Sequence, residues 1–167
     1  MAPVVQQLQQ LPEADVRAMA HYLGSFSPTA ATPLAAITTA TATALVEQSI
    51  AQAASLTGPA QRLFTSACGA CHHAGDGPQL LGQNLPFALN SNLHSDRPDN
   101  LLRVILEGIR EPATTDIGFM PAFRHSLDNT QIAELASYMR QRFAPGKPAW
   151  KDLEAQVQKI RESTSTH

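Results

Sequence analysis

Cys68-Gly69-Ala70-Cys71-His72 is the stretch on which the reading of this chain turns. Two thiols three positions apart, followed at once by an imidazole, are placed to bind the two vinyl groups of a haem and then its iron. The chain holds two cysteines, both inside this pentapeptide, so no thiol is left for a disulfide elsewhere or for a second metal site. Other chemistries also use a Cys-x-x-Cys pair. A closed structural zinc site wants four ligands, usually from a second Cys or His pair. No second Cys pair exists here, and His94 and His125 each lack a His partner three to five residues away. A thioredoxin-like redox pair sits between a strand and a helix in a βαβ context, whereas the surroundings here read as helical on both sides. A disulfide across two intervening residues is possible but strained. Electron transfer is the first expectation, and a zinc-bound interaction module is the alternative.

Haem iron held by one His needs something at its sixth position, and a methionine thioether is the usual choice for electron transfer. Met120 is the candidate. It lies in Gly118-Phe119-Met120-Pro121-Ala122-Phe123, 48 residues beyond His72 and between two helical patterns. Pro121 disfavours helix at Met120, so that side chain is expected on an extended loop. Met19 and Met139 sit inside amphipathic patterns and read as core, and Met1 is at the chain end. Were Met120 a bystander, the sixth position would be open and a peroxidase-like haem enzyme would be the reading instead.

With His72-His73-Ala74-Gly75-Asp76-Gly77-Pro78, the Met120-Pro121-Ala122-Phe123 loop and the closing Ala133 to Arg142 stretch, residues from about Gly58 to Phe143 resemble a class I cytochrome c domain. More narrowly, they resemble the last domain of the multihaem cytochrome c subunits that accompany bacterial membrane-bound dehydrogenases for alcohols, aldehydes, gluconate and N-heterocycles such as nicotinate. Asn84 to Asn100, the helix from Leu101 and the tail Trp150-Lys151-Asp152-Leu153 look closest to the nicotinate or isoquinoline type.

The resemblance implies an all-α, class I cytochrome c fold around one covalent haem c. It implies thioether bonds from Cys68 and Cys71, His72 as proximal and Met120 as distal iron ligand, and a Pro78 carbonyl that accepts a hydrogen bond from the other ring nitrogen of His72. His73 reads as a surface histidine. The implied role is that of a one-electron carrier rather than an enzyme. Electrons would come from a molybdenum, flavin or quinoprotein catalytic subunit, pass among other haem domains of a parent chain, and leave toward a quinone or terminal oxidase of the respiratory chain. The implied location is periplasmic and inner-membrane associated, because haem is attached to this motif on the outer side of the bacterial inner membrane.

Composition agrees with a small domain whose cofactor fills part of the core: only nine of 167 residues are aromatic. A net charge of −2 and a pI near 6.3 leave no electrostatic footprint for nucleic acid. No run of 18 apolar residues suggests a membrane span, and no basic leader with a continuous apolar stretch suggests a secretory signal.

An internal repeat accounts for the missing leader. Residues 11–23 align with residues 127–139, keeping Leu, Ala and Tyr identical at Leu11/Leu127, Ala20/Ala136 and Tyr22/Tyr138. Val16/Ile132, Met19/Leu135 and Leu23/Met139 stay apolar. The second copy should close a cytochrome domain, so the first is expected to close another, truncated one, with the chain being the C-terminal part of a longer multihaem polypeptide. The expected organisation is a leftover closing helix at 1–26, an Ala/Thr/Pro-rich linker at 27–56 that winds into helix around Ala44 to Ala54, a cytochrome c domain at 57–145 and a C-terminal extension at 146–167. Within the domain, Thr57 is expected to cap a helix opened by Gly58-Pro59, with Leu63 and Phe64 on its buried side. Residues 75–95 read as an irregular loop. A helix from Asp99 through Ile109 carries an apolar face that includes Leu101, Leu102, Val104, Ile105 and Ile109. Asp128 and Gln131 form a capping-box pair, and the resemblance implies that Tyr138 meets the helix carrying Phe64. A short helix with Leu153, Val157 and Ile160 on one side follows Pro145, and Ser163 to His167 read as disordered.

Overall fold

A computed structural model describes residues 7–8, 10–26, 34–73, 87–111 and 119–164. Among these the chain is all-α. Its helices are α1 (Glu13–Gly24), α2 (Leu34–Ser55), α3 (Pro59–Ala67), α4 (Ser91–His94), α5 (Asp99–Glu107), α6 (Asn129–Phe143) and α7 (Leu153–Thr164), with a 3-10 turn at Phe87–Leu89. The only β-type pairing among the described residues is an isolated antiparallel bridge between Ile109 and Met120. No helix of the described residues is long and apolar enough to cross a membrane.

The core is organised around α6. Its start is fixed locally: the Asp128 carboxylate accepts from the Gln131 N–H at 2.8 Å while the Gln131 side chain accepts from the Asp128 N–H at 3.0 Å. This is the capping box expected from the sequence. Ile132, Leu135, Ala136, Tyr138, Met139 and Phe143 are all buried, because α2, α3, α4, α5 and α7 each pack against this helix. Phe64 of α3 meets Tyr138 with ring centroids 5.5 Å apart, as expected, and Phe143 at 5.6 Å.

Four local features differ from the sequence reading. Gly58 occupies the cap position of α3 and no side chain caps it, so Thr57 sits one residue too early. Helix α5 stops at Glu107 because Gly108 turns into the left-handed region, with φ +69°. Ile109 therefore leaves the helix and is 42 % exposed, while Leu101, Leu102, Ile105 and Leu106 form the buried face. Asn90, whose side chain accepts from the Asn92 N–H at 3.0 Å, opens the short helix α4 inside the stretch expected to be loop. Helix α2 runs for 22 residues, well beyond Ala44 to Ala54, and packs on both α6 and the 3-10 turn.

Helix α7 docks through Val157 and Ile160, both buried, onto α5 and α6. Ser163 and Thr164 belong to it, whereas residues 165–167 lie outside the described residues. Helix α1 buries none of its residues. Met19, expected in the core, is 38 % exposed, and Tyr22 and Leu23 are 64 % and 67 % exposed. Their counterparts in α6 are Leu135, Tyr138 and Met139, all buried. An amphipathic stripe becomes core only when another element faces it, and α1 has no such burial.

Candidate functional site

The pentapeptide is built as the continuation of α3. The N–H groups of Cys68 and Gly69 both donate to the Phe64 carbonyl, at 2.9 and 2.8 Å, and those of Cys71 and His72 both donate to the Cys68 carbonyl, at 3.1 and 2.9 Å. This single turn puts residues four apart on one side. Cys68 and His72 accordingly share the wall of one cavity, while Cys71 is half-buried beside it. The turn is backed by aromatic rings. His72 stacks on Phe87, centroids 4.2 Å apart and planes 20° from parallel, and Phe87 in turn lies 5.3 Å from Phe143 and 6.2 Å from Phe64.

Met120 reaches the same cavity from the other side of the sequence. Ile109 and Met120 exchange two backbone hydrogen bonds, each 2.9 Å, and the N–H groups of Phe123 and Arg124 donate to the Ile105 and Leu106 carbonyls at 3.0 and 3.1 Å. The last turn of α5 thereby holds the Met-Pro segment in extended form, in keeping with Pro121 after the methionine. The C-terminal helix holds the turn beyond: the Arg161 guanidinium donates to the Arg124 and Leu127 carbonyls and, at 2.6 Å, to Asn129 Oδ1.

The cavity has a volume of about 340 Å³ and an apolar wall. Cys68, His72, Phe87, Ile105, Met120 and Leu135 are among the residues that line it. One thiol, one imidazole and one thioether converge on a hydrophobic hollow. That donor set suits a flat apolar iron macrocycle anchored through sulfur. Among the described residues no group of three or more His, Cys, Asp or Glu side chains converges as a zinc site requires. Burial pushes the Cys68 thiol up to about 11, and Cys71 beside it adds to the rise. A thiol held protonated at neutral pH is a poor partner for thiol–disulfide exchange.

Pro78 lies outside the described residues, so its part in the site is left to the sequence reading. His73 is buried, at 7 % exposure, not on the surface. The chain leaves the helical turn at His72, and the rotation that would carry the next side chain outward is not completed. Sequence reasoning misses Phe87, whose ring backs His72, and the Ile109–Met120 bridge. A lone aromatic in an apparent loop and a Gly after an apolar helix are the available signals. Met139 is core, as expected, yet its helix also brings it to the cavity wall.

Comparison with known proteins follows the same lines. Residues 56–139 match the family described as cytochrome C oxidase, cbb3-type, subunit III. The whole chain is 44 % identical, over 167 residues, to a nicotinate dehydrogenase subunit of Pseudomonas putida. It spans 13 % of the length of that relative.

Proposed function

Because this chain belongs to the cytochrome c family matched by the cbb3-type subunit III description, we propose that it is a one-electron carrier with a single covalent haem c, serving a dehydrogenase. One observation carries the reading: Cys68, His72 and Met120, the last 48 residues beyond His72 in sequence, line one apolar cavity. Cys68 and Cys71 would hold the group by thioether bonds, His72 and Met120 would ligate its iron, and Pro78 would orient the imidazole. The haem supplies a one-electron iron couple whose potential His/Met ligation raises.

The chain's own residues do the remainder. The turn from Cys68 to His72 fixes the two sulfurs relative to the imidazole, and Phe87 limits how far the His72 ring can swing. Leu101, Ile105 and Leu135 exclude water from the cavity floor. Leu89 and Ile109, lining residues that are 48 % and 42 % exposed, give the cavity an apolar rim where another redox centre can approach. No residue is asked to make or break a substrate bond.

The electron donor in this reading is the catalytic subunit of a nicotinate-type dehydrogenase, of molybdenum, flavin or quinoprotein class, supported by the name of the Pseudomonas relative. The bare face of α1, whose counterpart in α6 is core, favours further haem domains in the same polypeptide as relay partners. A quinone or terminal oxidase would accept the electrons, and the site of action would be the periplasm, at the inner membrane.

The test is the visible spectrum of the reduced protein produced with haem-maturation machinery. Sharp c-type bands are expected; their absence, with bound metal present, would instead favour the zinc module. Met120→Ala should bind carbon monoxide and Met139→Leu should not. If wild type binds carbon monoxide as readily as Met120→Ala, the sixth position is open and the haem-enzyme alternative takes over.

A further inference from the structure

Gly108 ends α5 with φ +69° and ψ −170°, a conformation essentially confined to glycine. A Cβ at this position would stand 2.4 Å from the Met120 carbonyl oxygen, 2.8 Å from the Ala122 nitrogen and 2.8 Å from the Pro121 carbonyl carbon. Side-chain carbons do not approach backbone this closely; about 3.0 Å is the limit. Three consecutive residues of the Met-Pro segment thus occupy the space that any side chain at 108 would need.

We propose that Gly108 is a positioning residue for Met120: its bare α-carbon lets the segment lie against the end of α5, and this contact sets where the thioether enters the cavity. The proposal rests on the reading of Met120 as the sixth iron ligand. Two features make the segment, not the helix, the part that yields. Leu102, Ile105 and Leu106 anchor α5 in the core at 3 % exposure or less, and close-packed interiors resist displacement. The segment meets α5 through the two Ile109–Met120 bonds and the bonds from Phe123 and Arg124, and its Pro121 and Ala122 face solvent, with no core packed behind them.

The experiment compares holoprotein of Gly108→Ala, Met120→Ala and Gly146→Ala with wild type. Gly146 has open space around it and serves as the control. The readouts are the methionine-to-iron charge-transfer band of the ferric protein, carbon monoxide binding to the ferrous protein, and far-ultraviolet circular dichroism. Gly108→Ala should keep the c-type bands and the helical signal, lose the charge-transfer band and bind carbon monoxide as Met120→Ala does, while Gly146→Ala stays like wild type. A folded Gly108→Ala protein with the wild-type band overturns the proposal. If Met120→Ala itself keeps the band, the ligand reading fails first and the proposal goes with it. Should Gly108→Ala yield no holoprotein, Ile109→Pro supplies the second arm. Ile109 lies outside the helix, and proline there deletes the bond to the Met120 carbonyl while leaving Gly108 in place. The same loss of the band is expected, and its retention overturns the proposal.

Discussion

Arg140 shows how one side chain can hold distant segments together. It is 2 % exposed, and its guanidinium donates to the carbonyls of Leu93, of Ser95 at 3.0 Å and of Pro148 at 3.1 Å. It also lies 4.4 Å from the centre of the Trp150 ring, and the Trp150 indole N–H donates to the same Ser95 carbonyl at 3.1 Å. Removing the donor takes away the guanidinium that reaches the buried Leu93 carbonyl and leaves Trp150 without its cation, so Arg140→Ala should destabilise the holoprotein by about 3 kcal/mol in urea unfolding. A loss under about 0.5 kcal/mol would show the cage to be dispensable. Cys68 offers a pH test. Its thiol titrates higher folded than unfolded, so the unfolded chain loses its proton first as the pH rises. The apoprotein should therefore lose stability from about pH 9 upward to about pH 11. The haem-loaded protein, whose sulfur is a thioether, should show no such decline. An apoprotein with flat stability across that window would mean that Cys68 is not desolvated.

At the scale of elements, the Met-Pro segment is held by the end of α5, and the turn that follows it by the tip of α7. Arg161→Ala removes the bonds from α7 to the Arg124 and Leu127 carbonyls and should cost about 1–2 kcal/mol in stability. It should also speed carbon monoxide binding to the ferrous protein, measured by rapid mixing; an unchanged rate would confine Arg161 to stability alone. How legible these elements are depends on the range of the forces behind them. The Asp128–Gln131 box and Pro59 at the first turn of α3 can be read because caps are decided within four residues. That Tyr138 meets the helix of Phe64 is legible only through the family resemblance, because periodicity marks each helix's apolar face but not which helix it crosses. Ile109 is misplaced because apolar spacing continues past Gly108, and the clash that makes that glycine necessary comes from residues 120–122, a contact that no local pattern encodes. The buried arginine Arg140 of α6 is hidden for a similar reason: its partners are backbone carbonyls, which leave no mark on sequence.

For the whole molecule, the described helices divide into those that pack around α6 and one that buries nothing. Helix α1 buries nothing, so deleting residues 1–33 should leave both the visible spectrum and the midpoint of thermal unfolding unchanged, whereas deletion through residue 56 should lower the midpoint by removing α2 from α6 and the 3-10 turn. A drop of several degrees from the shorter deletion would show that the first helix has a partner within this chain. The Cys-x-x-Cys-His signature makes the chemistry readable at once, and the family match over residues 56–139 agrees with it. What the signature does not convey is how Met120, 48 residues beyond His72, comes to line the same cavity. The Ile109–Met120 bridge answers that with a pinned pair of chain ends. Two mutual backbone hydrogen bonds fix residue 120 against residue 109, so a change elsewhere in the chain reaches Met120 only by breaking that pair. Sequence and length between positions 109 and 120 are thus free to differ among relatives, or to be altered by protein engineers, as long as the paired ends are kept.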